Sequence, residues 1–390
     1  MQHSQFFCGL ARRDGRSGRS APAGCGRVLA VALFATILSF VLVGSGCTSV
    51  PSYETLQATR AELPAPAPGV EADGRARFRD IFCTLAQHRN VPQAQRGSSC
   101  QRLLWRLADE PRPGTFADLP ALDPQLQFLV VGGAFSDCFG PASVAYRRAI
   151  EGLTEQGFRV GTIAISGRSS AEHNAQMMAD ALAVAPAGPL VLLGYSKGTV
   201  DIFYFLNAYP ELAQRVVAVI SVAGPIFGSE VAERGAWVYD NLLAGALPGR
   251  CDPGDEGVVD SLLPRVRRDW LARNPPPPAV RYYSLLAFTT REHIARALLP
   301  SWEILAPIDL RNDGQLTVGE GTLPGSTLLG YANSDHWGIA IDIEEELSFW
   351  ADRPDETPFP RSVLFEAALR YVSEDLRQAG AIRETPVTEL

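Results

Sequence analysis

Lysine is almost missing from this chain of 390 residues: among 35 Lys and Arg residues, Lys197 is the single lysine. An arginine bias of the coding sequence accounts for the scarcity, and a catalytic or ion-pair role for the one lysine stays open. Positive charge as a whole is in deficit. The formal net charge is −8 and no basic stripe runs through the body of the chain, which excludes nucleic acid as a partner. Histidine is scarce too, at five residues, so any search for a general base is short. A long apolar run is lacking as well: Val28–Val43, at 16 residues, is short for a membrane span, and the small residues after it bring it only near the lower limit. At 46% hydrophobic the chain still has enough apolar side chains for one large core or two smaller ones, which excludes a disordered protein.

Arg12, Arg13, Arg16, Arg19 and Arg27 precede that apolar run, and Gly44, Ser45 and Gly46 lead from it to Cys47. A basic segment, an apolar segment and a small-residue exit predict an export signal over residues 1–46. A cysteine directly after small residues resembles the lipobox of bacterial lipoproteins, which makes Cys47 the expected lipidation site. Gly44 stands where such boxes usually have Leu, so a signal without lipid is the alternative. The chain is therefore expected at the bacterial cell envelope, facing the periplasm or the outer surface and held to the membrane by an N-terminal lipid anchor. Residues 47–75 contain Leu63-Pro-Ala-Pro-Ala-Pro-Gly69 and few large apolar side chains, and read as a semi-rigid tether.

With Cys8 and Cys25 lost with the signal and Cys47 lipidated, Cys83, Cys100, Cys138 and Cys251 remain. An even number in an exported chain permits two disulfides, in any of three pairings, with free buried thiols as the alternative. Phe78, Ile81, Phe82 and Leu85 form one helical stripe, and Leu103, Leu104 and Leu107 another, on either side of Asn90-Val-Pro92. This predicts an N-terminal helical hairpin over residues 76–118 closed by Cys83 and Cys100.

From residue 119 to 390 the pattern alternates. Strands are predicted at Phe128–Val131, Phe158–Ala164, Leu190–Leu193, Val216–Val222, Val280–Phe288 and Thr327–Gly330, with helices at Ser143–Glu155, Ala171–Val184, after Gly198, and at Ser362–Leu376. Such alternation predicts an α/β fold with a mostly parallel sheet and helices on both faces. At about 230–278 the pattern breaks into short amphipathic stretches. A helical cap or lid over the strand ends is one reading of this insertion, and padding of an enlarged core is the other.

The chemistry centres on Gly194-Tyr195-Ser196-Lys197-Gly198, a G-x-S-x-G sequence between a buried strand and a helix. The pentapeptide alone is weak evidence, but in that context it describes a sharp turn with Ser at its apex. A serine hydroxyl needs a base to take its proton and an acid to hold that base in one tautomer. His336, in the polar loop Ala332-Asn-Ser-Asp-His-Trp337 after the last predicted strand, is the candidate base, ahead of His293. Asp313 in Asn312-Asp-Gly314 is the candidate acid, with a plain turn as the bland reading and Asp309 as the alternative acid. The order Ser196, Asp313, His336 is that of an α/β-hydrolase.

From about Gln127 onward the chain resembles the α/β-hydrolase superfamily, and parts of it are similar to the bacterial lipase branch. Those parts are the elbow, Ala223-Gly-Pro-Ile-Phe-Gly-Ser229, Arg281-Tyr-Tyr-Ser284 and Asn312-Asp-Gly-Gln-Leu316. The resemblance implies a serine carboxylic-ester hydrolase of lipase or esterase type, with Asp313 and His336 completing a triad, a small-molecule or lipid ester as substrate, and no cofactor. It also implies an oxyanion site made by the backbone N–H of Lys197 and that of Ala134 or Phe135. Two positions depart from the branch. Gly338 stands where many such lipases carry a calcium-binding Asp, so no metal is implied, and Gly132-Gly133 replaces the usual His-Gly. Thioesterase or acyltransferase chemistry uses the same parts, and a non-catalytic envelope lipoprotein that binds rather than cleaves is the reading of a different class.

Overall fold

Runs of four to seven apolar residues bounded by Gly, Pro or polar turns form strands here because both of their faces are covered. The computed structural model describes residues 56–61, 63, 65, 71–92, 100–112, 118–138, 140–238, 252–342 and 358–382. The expected export signal, Cys47, most of the tether and Cys251 lie outside them. Seven strands make one sheet: β1 Leu104–Trp105, β2 Gln127–Val131, β3 Val160–Ile163, β4 Leu190–Tyr195, β5 Val216–Val222, β6 Arg281–Phe288 and β7 Thr327–Asn333. Their order is β1-β7-β6-β5-β4-β2-β3, and every pairing except β1 with β7 is parallel. Six helices matter below: α1 Arg75–His88, α2 Arg147–Glu155, α3 Ala171–Ala183, α4 Lys197–Ala208, α5 Pro264–Arg273 and α6 Arg361–Gln378.

The two-residue period of a strand divides the sheet into two cores. On β4, Val191, Leu193 and Tyr195 join a cluster with α1, α2 and α6, through Phe78, Phe82, Leu153, Leu364 and Phe365. Leu190 and Leu192 point the other way, into a cluster with Ala175, Met178 and Leu182 of α3 and with Val200 and Phe203 of α4. The neighbouring β5 divides in the same manner, with Ala218 and Ile220 on one side and Val219 on the other. Each such buried Leu or Phe contributes about 1.5–3 kcal/mol relative to exposure.

Connectivity fixes where a ligand can sit. From β2 the chain passes through α2 to the edge strand β3, then returns across β2 to β4 and proceeds in the opposite direction through β5 and β6 to β7. The direction therefore reverses between β2 and β4. In open α/β sheets the crevice at such a reversal, outside the carboxyl ends of the strands, is where ligands bind.

The predicted helical hairpin needs correcting. Its first arm is α1, and Cys83 and Cys100 are disulfide-bonded as expected. Its second arm is a single helical turn, Cys100–Leu103, running directly into β1, which extends the sheet antiparallel to β7. Trp105 decides this. Its ring stacks on Phe288 at 4.8 Å between centroids, and its indole N–H donates to the Phe288 carbonyl at 2.7 Å. A stripe of three leucines carries too little helical preference to resist that ladder and stack. Arg79 of α1 then donates to the carbonyls of Leu104 at 2.9 Å and Trp105 at 2.7 Å, and pairs with buried Glu110. The segment is thus part of the sheet rather than an appendage.

Elsewhere boundaries move by a few residues. α2 begins at Arg147, because Pro141–Ser143 form a 3-10 turn and Tyr146 takes a left-handed conformation at φ 57°. β7 continues to Asn333, three residues beyond the predicted end. Of the 230–278 insertion, residues 239–251 lie outside the described residues. In the described part Trp270 of α5 stacks on Tyr204 of α4 at 4.2 Å, while Asp255 accepts the Ser170 N–H at 2.6 Å and the Val258 N–H donates to the Arg168 carbonyl at 3.2 Å in the loop after β3. Cys138 is also disulfide-bonded.

The Cys83–Cys100 bridge closes a loop of 17 residues. Replacing both cysteines by Ser is expected to lower the unfolding free energy by about 3 kcal/mol, to be read from urea denaturation of the oxidised protein and the variant.

Candidate active site

Ser196 sits between β4 and α4 with φ 53° and ψ −130°, a conformation that a residue with a side chain adopts at a cost of about 1–3 kcal/mol. The flanking elements over-determine it. The Ser196 N–H donates to the Val222 carbonyl at 2.9 Å, the Thr199 N–H donates to the Ser196 carbonyl at 3.0 Å, and the Thr199 hydroxyl donates to the Gly194 carbonyl at 2.8 Å. Both glycines of the pentapeptide are required by close approach. A Cβ on Gly194 would strike the backbone of Thr199, and one on Gly198 would strike the carbonyls of Val131 and Gly132.

His336 follows the carboxyl end of β7, and its backbone is pinned on both sides. Its N–H donates to the Asp313 carbonyl at 2.9 Å, and its carbonyl accepts the Tyr195 hydroxyl at 2.8 Å. Burial pushes the Tyr195 phenol well above its ordinary range, so it remains a donor. The imidazole Nδ1 lies 2.7 Å from Asp313 Oδ2 and Nε2 lies 2.9 Å from Ser196 Oγ. A carboxylate only accepts, so Nδ1 carries the hydrogen and Nε2 is left to accept the serine proton.

Asp313 is buried in the turn Asn312-Asp-Gly314, with Gly314 at φ 89°. Its Oδ1 accepts the N–H groups of Gln315 at 2.8 Å and Leu316 at 2.7 Å, leaving Oδ2 to the imidazole. The Thr289 N–H, at the end of β6, donates to the Asn312 carbonyl at 3.3 Å and holds this turn beside the strand ends. Asp309 faces elsewhere, its carboxylate paired with Arg311 at 3.0 Å. His293 bonds to the Thr290 hydroxyl at 2.9 Å and, like His88 and His173, is exposed. The three residues singled out by type, order and loop placement therefore meet in one hydrogen-bonded chain, and the alternatives do not join it.

The loop after β2 brings Gly133 against the elbow, where a Cβ on Gly133 would lie 3.0 Å from Ser196 Cβ. Of the two candidates for a second oxyanion donor, the Phe135 N–H already donates to the Gly167 carbonyl at 2.9 Å. That removes Phe135. The Ala134 N–H has no protein acceptor among the described residues, and neither has that of Lys197 in the first turn of α4, where backbone donors lack intrahelical partners.

No family model and no curated protein matches the sequence. Solved structures do. A metagenomic carboxyl esterase, MGS0156, is 33% identical over 82% of this chain and 98% of its own, with a TM-score of 0.69. The chain belongs to the α/β-hydrolase family. The Bacillus licheniformis lipase BlEst2 in its mature form is 20% identical over 60% of this chain and 93% of its own, with a TM-score of 0.45. Lipase 1 from Pelosinus fermentans is 12% identical over 66% and 99%, with a TM-score of 0.43.

Two residues of this α/β-hydrolase that support the site are not singled out by the sequence analysis. Tyr195 is a variable position of the pentapeptide, and its hydroxyl role depends on His336 arriving from the far end of the chain. Asp335 is buried, and its Oδ2 accepts the Ala295 N–H at 2.8 Å while its Oδ1 accepts the Gly338 N–H at 2.7 Å, which fixes the loop around His336. Adjacency to the candidate base was the available signal. Gly338 thus serves as a backbone donor at the position where a calcium-binding lipase has a carboxylate. Among the described residues, no three His, Cys, Asp or Glu side chains are grouped as a metal site.

Replacing Gly198 by Ala is expected to cost at least about 2 kcal/mol of stability, because the added methyl meets fixed carbonyls rather than a mobile side chain. Thermal and urea unfolding of the variant beside a control such as Gly152→Ala checks this; the two should differ clearly, since an added Cβ at Gly152 meets nothing within 4 Å.

Proposed function

We propose that this protein is a serine hydrolase of carboxylic esters, acting through an acyl-Ser196 intermediate. The observation that carries the reading is the unbroken relay from Ser196 Oγ through the His336 imidazole to Asp313, at 2.9 and 2.7 Å, at the reversal of the sheet. The carboxyl esterase activity in the name of MGS0156, a relative at 33% identity, supports it.

In this reading the serine proton moves to His336 Nε2 as Oγ bonds to the substrate carbonyl carbon. The carbonyl π pair moves onto oxygen, and the backbone N–H groups of Lys197 and Ala134 meet that oxyanion. Asp313 stabilises the imidazolium and keeps the ring in place. Collapse of the intermediate expels the alcohol, which takes the proton from Nε2. Water then repeats the sequence: His336 removes its proton, hydroxide adds to the acyl carbon, and the carboxylic acid leaves as Ser196 recovers its hydrogen. Fatty-acyl or lipid esters are favoured over short soluble ones by the apolar residues of the insertion and by the expected tether. The sequence before residue 56 further supports placement at the cell envelope through lipid on Cys47.

A fluorophosphonate probe is expected to label the wild type and not Ser196→Ala; a folded wild type that takes no label ends the ester-hydrolase reading. Turnover of a p-nitrophenyl ester is expected to fall by about 10³–10⁴ in Asp313→Asn and to stay within about twofold in Asp309→Asn, and the opposite ranking would move the acid to Asp309. An acyl chain-length series separates lipase from esterase. Detergent partitioning of the full chain, with Cys47→Ser as the comparison, tests the anchor: equal partitioning of the two removes lipidation from the proposal.

A further inference from the structure

The proposed reaction uses Lys197 through its backbone alone, yet its side chain is fully buried and ion-paired. Nζ donates to Asp201 Oδ1 at 2.6 Å, one turn along α4, and both side chains are 0% exposed. Asp201 Oδ2 accepts Asn174 Nδ2 at 2.9 Å. Asn174, buried near the start of α3, clamps the backbone of Ser166, donating to its carbonyl at 3.0 Å and accepting its N–H at 3.1 Å. The next residue, Gly167, accepts the Phe135 N–H at 2.9 Å and donates to Asp137 Oδ1 at 3.0 Å. Phe135 is held at φ 62°, directly after Ala134. A continuous path of hydrogen bonds thus runs from the residue after the serine to the loop after β2.

We propose that Lys197 is a positioning residue whose side chain, through Asp201, Asn174 and Ser166, holds the two backbone arms of the oxyanion site at a fixed separation. The catalytic consequence rests on the ester-hydrolase reading; the tie between the two arms does not. The β2–β4 ladder and the close approach of Gly198 to the Val131 and Gly132 carbonyls tie the roots of the two arms, and the side-chain path adds a second tie at Phe135, beyond Ala134. The ammonium is compact where the guanidinium of the 34 arginines elsewhere in the chain is larger and planar, so the two are not interchangeable at a fully buried position. Burial raises the Asp201 carboxyl above its ordinary range, with the neighbouring Lys197 and Asn174 hydrogen bonds pulling the other way.

The test compares the wild type, Lys197→Met and the double variant Lys197→Met/Asp201→Leu. The single variant leaves a carboxyl group buried without its cation and is prone to unfold. The double removes both charges with apolar side chains and is expected to keep the wild-type Tm. In the double, amide exchange in the 132–138 peptide is expected to quicken by about tenfold, led by Phe135. The kcat on a p-nitrophenyl ester is expected to fall by about tenfold to a hundredfold with KM changed by less than about twofold, the split that marks lost transition-state stabilisation. Wild-type exchange in the double variant overturns the tie, and faster exchange with unchanged kcat overturns the positioning role. A wild type that neither hydrolyses esters nor takes fluorophosphonate label would end the ester reading instead, and exchange alone would then decide the tie.

Discussion

Everything at this site depends on Ser196 being held where its backbone does not choose to be. A φ of 53° with ψ of −130° would relax in a free peptide. Here β4 leads in, α4 leads out, and the two flanking glycines let the Thr199 backbone and the Val131 and Gly132 carbonyls come closer than a Cβ permits. Relaxing the turn would therefore require moving a central strand or a buried helix, at the expense of both cores. The strain has a geometric result. The hydroxyl is lifted beyond the end of the sheet, while the next N–H, that of Lys197, stays at the open first turn of α4.

The remaining parts converge on that apex because each follows the carboxyl end of a parallel strand. Gly133 and Ala134 follow β2, Ser196 follows β4, the Asp313 turn is held to the end of β6, and His336 follows β7. Residues separated by up to 140 positions, as Ser196 and His336 are, become neighbours without any long loop having to be ordered for that purpose alone. Loop-closure cost is met once, by folding the sheet, and the site inherits it. This is why the chain order of the three residues carried so much information: in a fold whose strand ends all open on one crevice, order and placement are nearly the same statement.

The same logic explains what could and could not be read in advance. Strands buried on both faces are legible because the two cores demand uninterrupted apolar residues, and β5 was bounded correctly to the residue. Ser196, Asp313 and His336 were legible because their residue types, order and loop placement are local properties. Leu104–Trp105 was not, since its state is decided by Phe288 and Tyr331, more than 180 residues away, and its three leucines suit a helix as well as a strand. Tyr195, Asp335 and the choice between Ala134 and Phe135 were hidden for a related reason. Each involves a hydrogen bond to a backbone group far along the chain, His336 for Tyr195, Ala295 for Asp335 and Gly167 for Phe135, and sequence has no marker for which of two adjacent N–H groups a remote carbonyl will take.

Lys197 shows how the two kinds of information combine. Composition alone left it an oddity with coding bias as a sufficient cause, and position alone made it an oxyanion donor that any residue could supply. A buried ion pair is a poor device for stability, because removing two charges from water costs about as much as their attraction returns. Nearby, Arg267 is buried as well, with its guanidinium 5.5 Å from the Tyr204 ring and 5.0 Å from that of Trp270, and burial lowers its pKa to about 10. Apolar side chains would satisfy this face of the sheet more simply. What they would not supply is direction: an ammonium, a carboxylate and an amide each accept few geometries, and in series they fix α4, α3 and the loop after β3 against one another. A core that needed only to be filled has no use for that, whereas the proposed oxyanion site, which would place the Lys197 and Ala134 N–H groups around one oxygen, does.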